Sequence, residues 1–219
     1  METKVEVNQE TMKKPSLSGM IFSPAVQFER MKTNMPIGLP LFYLMVLFAV
    51  AGGIGGFVGL NSSAFKELDV HIPKAFTIGT AVIGSMVSGI IGFLVTALFY
   101  KICMMFMSND TKYKKLFAIV MYASVISIIG GIINGIINLA VGGEKVTSFT
   151  SLAPLVAENK TWHAIAQNFD IFRIWHYVVL GMGLHIAAGL SKNKVVILLV
   201  ILFVITIGIS SLGAFIPGQ

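Results

Sequence analysis

Two asparagines one helical turn apart, Asn134 and Asn138, and one histidine, His185, stand inside long apolar runs where water cannot satisfy them. A polar side chain in hydrocarbon needs a protein partner, so each invites the question of what it does there. The amides can fix helix packing through an interhelical hydrogen bond, or line a polar cavity for a ligand or ion. His185 is ionisable, and such groups inside a span are functional candidates. His176 precedes it by nine residues, which places the two rings about 13 Å apart along a helix, too far to share a metal. Asp170 and Arg173 are three residues apart and are expected to pair on one helix face as an interfacial anchor.

Enzyme signatures are not seen. The chain has no HExxH, no paired carboxylates within a span and no Gly-rich phosphate loop. Gly208-Ile209-Ser210 is half of a serine-nucleophile motif without its following glycine. Cys103 with Met104 and Met107 reads as packing or lipid-facing surface, not as a soft-metal site. A lone cysteine also excludes an intrachain disulfide. No catalytic residue, cofactor or metal is therefore expected.

The elements holding these residues are membrane helices. Hydrophobic residues make up 55% of the 219, charged ones 12%, and the mean hydropathy is +0.83, against roughly 25% charged in a soluble domain. Five apolar runs reach or exceed the ~20 residues needed to cross a bilayer: about 37–60, 76–100 (with a continuation toward Met107), 116–141, 171–190 and 195–216. Residues 1–20 read as a flexible polar tail and 21–219 as one transmembrane domain of five helices. No removable signal peptide is expected. Ser23-Pro24 suits a helix start, and the segment to Lys32 reads as a short interfacial helix before the first span.

Lysine and arginine set the orientation. Eleven lie in the tail, the connection after span two and the turn after span four, against five on the opposite side. That bias puts the N-terminus in the cytoplasm and the C-terminus outside, in a multi-pass cell-membrane protein. The lysines form short clusters between spans and no basic stripe with aromatic platforms, so the net charge of +6 does not imply nucleic acid. The outer connection 142–170 carries Leu152, Leu155, Trp162 and Phe169 among polar residues. It reads as short amphipathic helices on the outer interface, anchored by Trp162, Asp170, Arg173 and Trp175.

Glycine marks the close contacts. Gly52, Gly56 and Gly59 in span one, Gly84 and Gly89 in span two, and Gly131 and Gly135 in span three let helix backbones approach each other. They serve packing within the chain, self-association, or a partner's helix.

Three stretches resemble the Yip/Yif family of Yip domain membrane proteins: Ile21-Phe22-Ser23-Pro24 with Phe28, the run Tyr113 to Ala123, and Phe172-Arg173-Ile174-Trp175-His176 followed by Gly181, Gly183, His185, Gly189 and Lys192. The resemblance covers the chain from about Ile21 onward. It implies a non-enzymatic five-helix membrane protein with a cytoplasmic N-terminus. Eukaryotic members bind small GTPases through a long N-terminal region with an Asp-Leu-Tyr-Gly-Pro type motif. The short lysine-bearing tail here is similar to the bacterial branch, which includes accessory partners of ABC-type exporters and envelope-stress systems. The expected function is thus a membrane adaptor contacting lipids and other membrane proteins or itself. The alternative is a small transporter or channel with a polar route near Asn134, Asn138 and His185, and an intramembrane hydrolase ranks below both.

Overall fold

The computed structural model describes residues 13–61, 72–142 and 148–213. Met1 to Met12 of the polar tail, the charges Lys66, Glu67, Asp69, Glu144 and Lys145 that the sequence assigns to the outer side, and the C-terminal Pro217-Gly218-Gln219 lie outside them. The described residues are helical, without strands: α1 Leu17–Phe22, α2 Pro24–Thr33, α3 Gly38–Leu60, α4 Lys74–Phe106, α5 Tyr113–Ala140, a 3-10 turn at Ala153–Val156, α6 Lys160–Ala166, α7 Ile171–Ile186 and α8 Lys192–Gly213. The protein is a helical membrane bundle. Helices α3, α4, α5 and α8 are long and apolar enough to span, and α7 is a shorter apolar helix.

Span lengths follow from local chemistry. The 33 residues of α4 measure about 50 Å, well beyond the ~30 Å of hydrocarbon, so its ends project into polar surroundings. At its last turns Lys101 reaches Asp110 at 2.9 Å. Helix α7 has 16 residues, or about 24 Å, and stops before the Leu190 end expected from hydropathy. Gly189 takes a left-handed φ of +74°. The Gly189 N–H then bonds the His185 carbonyl at 3.1 Å and the Leu190 N–H bonds the Leu184 carbonyl at 3.0 Å, a glycine-terminated helix end.

Of the spans, α5 is the most enclosed: 67% of its apolar window is buried, against 22% for α3, 17% for α4 and 11% for α8. The other three therefore present most of their leucine, isoleucine, valine and phenylalanine to lipid, as spanning helices do.

The chain divides into two compact units, residues 1–44, 91–126 and 175–201, and residues 45–90, 127–174 and 202–219. In the first, Phe28 and Met31 of α2 are buried, together with Ile119, Tyr122, Leu180 and Leu184. A Cβ on Gly183 would stand 2.5 Å from Ile119 and 2.8 Å from the Phe28 ring, so glycine is what lets α7 sit against both. Helix α2 is thus docked by one face, and Gln27 is buried with it. Its Oε1 accepts the Ser16 N–H at 3.0 Å and Arg30 at 3.3 Å. Ser23 occupies the position before α2 but makes no side-chain cap. Helix α1 begins within the stretch read as a flexible tail and runs two residues past it, with Met20 buried.

Tyr122 is fully buried and donates its hydroxyl to the Pro36 carbonyl at 3.2 Å. Tyr122→Phe keeps the ring and orphans that carbonyl, so it is expected to lower stability by about 1 kcal/mol. Thermal unfolding in detergent checks this, and an unchanged melting temperature would remove the bond from the account.

In the second unit α3 and α4 meet through small residues. The Ser85 hydroxyl donates to the Phe48 carbonyl at 2.7 Å. A Cβ on Gly56 would lie 3.0 Å from Ala81 and 3.2 Å from the Ile78 Cα.

Candidate functional site

The polar groups of the second unit gather where α5 ends and α7 begins. Asparagines on a helix commonly bond the carbonyl one turn back. Asn138 donates to the Asn134 carbonyl at 2.7 Å and Asn134 to the Gly130 carbonyl at 3.0 Å. Asn134 also reaches the connection that precedes α7. Its Oδ1 accepts the Thr150 N–H at 3.1 Å and its Nδ2 donates to the Thr150 hydroxyl at 2.7 Å. Both asparagines are buried, so these bonds supply the partners that the sequence demands.

Asp170 is the hub. Its Oδ1 accepts the N–H groups of Phe172 at 2.9 Å and Arg173 at 3.1 Å, capping the otherwise unsatisfied start of α7. Its Oδ2 accepts the Ser148 hydroxyl at 2.6 Å, the Thr150 hydroxyl and, at 3.5 Å, the Asn134 amide. The carboxylate is 7% exposed. Burial alone would raise its pKa, but the hydroxyls of Ser148 and Thr150 and the two backbone N–H groups outweigh it and hold the pKa below the usual carboxylate value.

Arg173 does not form the side-chain ion pair expected from its spacing. Asp170 takes the Arg173 backbone N–H, whereas the guanidinium donates to Asn168 Oδ1. The reason is geometric: a carboxylate at the cap position faces the first-turn N–H groups, and its outer oxygen is already occupied by hydroxyls. Asn168, 1% exposed, was not singled out from sequence. It bonds the Ala164 carbonyl at 2.9 Å and lies 3.5 Å from the Ser210 hydroxyl of α8. Nearby, the Phe169 and Phe203 rings meet edge to face at 5.4 Å.

Beside this network lies a cavity of about 390 Å³, lined by Ser127, Gly131, Asn134, Gln167, Asp170 and Arg173 among others. Five donors surround a group that offers roughly four acceptor positions, so the Asp170 carboxylate is saturated by hydrogen bonds from the chain itself. The arrangement ties the connection between α5 and α7 to α5 and shapes the cavity wall. Among the described residues no three His, Cys, Asp or Glu side chains gather as a metal site would need.

The remaining sequence candidates have definite places. His185 belongs to the first unit, where its Nδ1 bonds the Leu190 carbonyl at 2.8 Å. A carbonyl only accepts, so that nitrogen carries a proton. His176 Nδ1 bonds the Ala123 carbonyl at 3.1 Å in the same unit. Trp175 is half-buried there, and Trp162, 61% exposed, rides on α6. The Asn159 side chain caps that helix through the N–H groups of Thr161 and Trp162, both at 3.1 Å.

The glycines sort into two classes. A Cβ would collide with Ser85 at Gly52, with Phe48 at Gly89 and with Ile54 at Gly135, and would press on Ala81 at Gly56. At Gly59, Gly84 and Gly131 it would meet nothing within 4 Å. Gly84 stands on α4 between Thr80 and Ser88 at four-residue spacing, and all three are exposed.

A family model described as Yip1 domain matches residues 18–215. The chain is 32% identical over 212 residues to "Membrane protein YknW" of Bacillus subtilis (strain 168), across 93% of this chain and 92% of that one. No solved structure matches.

Proposed function

The chain belongs to the Yip1 domain family of multi-pass membrane proteins, and from that membership we propose that it is a non-enzymatic adaptor that docks against another membrane protein. The observation that carries this reading is the exposed face Thr80-Gly84-Ser88 of α4. Glycines at Gly52, Gly56, Gly89 and Gly135 are consumed by contacts inside the second unit. Small residues that face lipid with open space above them permit close approach by a further helix. The finer form of the proposal is an accessory role in an ABC-type exporter or envelope-stress assembly, supported by the resemblance to the family's bacterial branch.

Crosslinking in native membranes, followed by affinity purification and mass spectrometry, tests it. A membrane partner is expected at near-stoichiometric yield. Gly84→Leu should reduce recovery at least tenfold, the ~1.4 kcal/mol that loss of a close helix contact costs, and leave the melting temperature unchanged. Recovery of the chain alone from native membranes would overturn the adaptor reading. If such a lone protein passes solutes in proteoliposomes, the cavity beside Asn134 supports the second reading, a small transporter or channel.

A further inference from the structure

Five lysines that are far apart in sequence share one end of the first unit. Lys112, Lys114 and Lys115 lead into α5, and Lys192 and Lys194 lead into α8. Hydrogen bonds between the two connections hold these segments side by side. The Asn109 amide and the Thr111 hydroxyl both donate to the Ala188 carbonyl, at 3.2 Å and 2.9 Å, and Lys194 Nζ donates to the Met107 carbonyl at 2.6 Å. Asn109 Oδ1 in turn accepts the Thr111 N–H at 3.1 Å, which fixes the turn that carries Lys112.

The placement of these cations runs against intramolecular electrostatics. Lys114, Lys115, Lys192 and Lys194 lie in the first turns of their helices, and neither first turn holds an acidic residue. The N-terminal end of a helix dipole is positive and disfavours further positive charge. Among the described residues of this unit the acidic side chains are Glu29 and Asp110, engaged by Lys32 at 2.7 Å and Lys101 at 2.9 Å. No described carboxylate neutralises the lysine group. Fixed negative charge from outside the chain would, and the ends of two membrane helices lie at headgroup depth, on the side that the lysine bias assigns to the cytoplasm.

We propose that this latched lysine cluster is a binding surface for the phosphate headgroups of anionic phospholipids in the cytoplasmic leaflet. Lysine suits the task, since a flexible stem carries a compact charge to a phosphate whose position is not fixed. The contribution is about fivefold in binding per lysine near such a surface. The latch turns two weak attractions into a single site.

The test uses the full chain in mild detergent, titrated with phosphatidylglycerol or phosphatidylcholine in mixed micelles and read by native mass spectrometry and by melting temperature. Phosphatidylglycerol is expected to bind more tightly and stabilise more, and its advantage should shrink as sodium chloride rises. The K112Q/K114Q/K115Q variant should lose about a hundredfold in phosphatidylglycerol affinity, keep its phosphatidylcholine affinity and still fold, because Lys112 and Lys114 are exposed, Lys115 is only part-buried, and glutamine keeps a similar polar stem at each. The corresponding arginine variant should restore binding. Equal binding of the two lipids would overturn the proposal, as would a preference that survives the glutamine variant. Equal stabilisation by inorganic phosphate would reassign the cluster to a free anion and overturn the lipid assignment.

Discussion

Asp170→Ala is expected to lower stability by about 2–4 kcal/mol, because it removes a helix cap and at the same time takes the acceptor from two part-buried hydroxyls. The N–H groups of Phe172 and Arg173 lose their partner at the start of α7, and Ser148 and Thr150 lose theirs on the connection to α5. Asp170→Asn should cost less, since one amide oxygen still caps the helix while the NH2 group faces the hydroxyl donors. The melting temperature in detergent reads both. A loss below 1 kcal/mol in the alanine variant would mean that the network does not hold this end of α5 and α7 together.

The same group gives a pH signature. A carboxyl whose folded-state pKa is depressed contributes stability above its unfolded value, about 3.9, and loses it as pH falls through the lower folded value. Wild type should therefore lose an increment below about pH 4 that Asp170→Asn never has. Asp110, held low by its hydrogen bond and charge contact with Lys101 in the open, acts in the same direction in both proteins and cancels in the comparison.

Much of the architecture is legible in the sequence because lipid imposes one rule along whole segments. Runs of twenty apolar residues have few alternatives to a helix, and α3, α4, α5 and α8 appear where hydropathy puts them. The departures have local causes that hydropathy does not register. Helix α7 ends at Ile186 and not at Leu190 because Gly189 adopts a left-handed turn, which takes His185 into a bond with the Leu190 carbonyl. Gln27 is polar, yet it is buried, its amide oxygen accepting from Ser16 and Arg30.

The Asp170 network is partly visible for the same kind of reason. Asn134, Asn138 and Asp170 stand out as polar groups beside apolar runs, so each announces a need for partners. Ser148, Thr150 and Asn168 do not, because such residues are ordinary in a connection. Their role depends on partners 16 to 22 residues away for Ser148 and Thr150 and 42 residues away for Asn168 and Ser210, which spacing alone does not define. The lysine cluster is a parallel case. The sign bias was plain from composition, but only the Asn109, Thr111 and Lys194 bonds make two short groups into one surface.

Gly52→Leu is expected to be the other severe change, and it separates packing glycines from docking glycines. Even a Cβ at this position would run into the Ser85 hydroxyl and approach the Ala81 carbonyl oxygen to 2.7 Å. Backbone cannot retreat as the tip of a flexible side chain can, so α3 and α4 must separate locally. Ser85 would then lose its 2.7 Å bond to the Phe48 carbonyl, adding a polar penalty to the overpacking. Overpacking costs about 1–3 kcal/mol and the lost bond about 1 more, so a total near 3 kcal/mol is expected, with Gly52→Ala about half as costly in the same direction. Gly84→Leu, made on the exposed face of α4, should leave the melting temperature within the error of the wild type. Were Gly52→Leu as stable as wild type, the close approach of α3 and α4 would be wrong. Were Gly84→Leu the destabilised variant, the exposed face would be an internal contact, and the adaptor reading would lose the surface on which it stands.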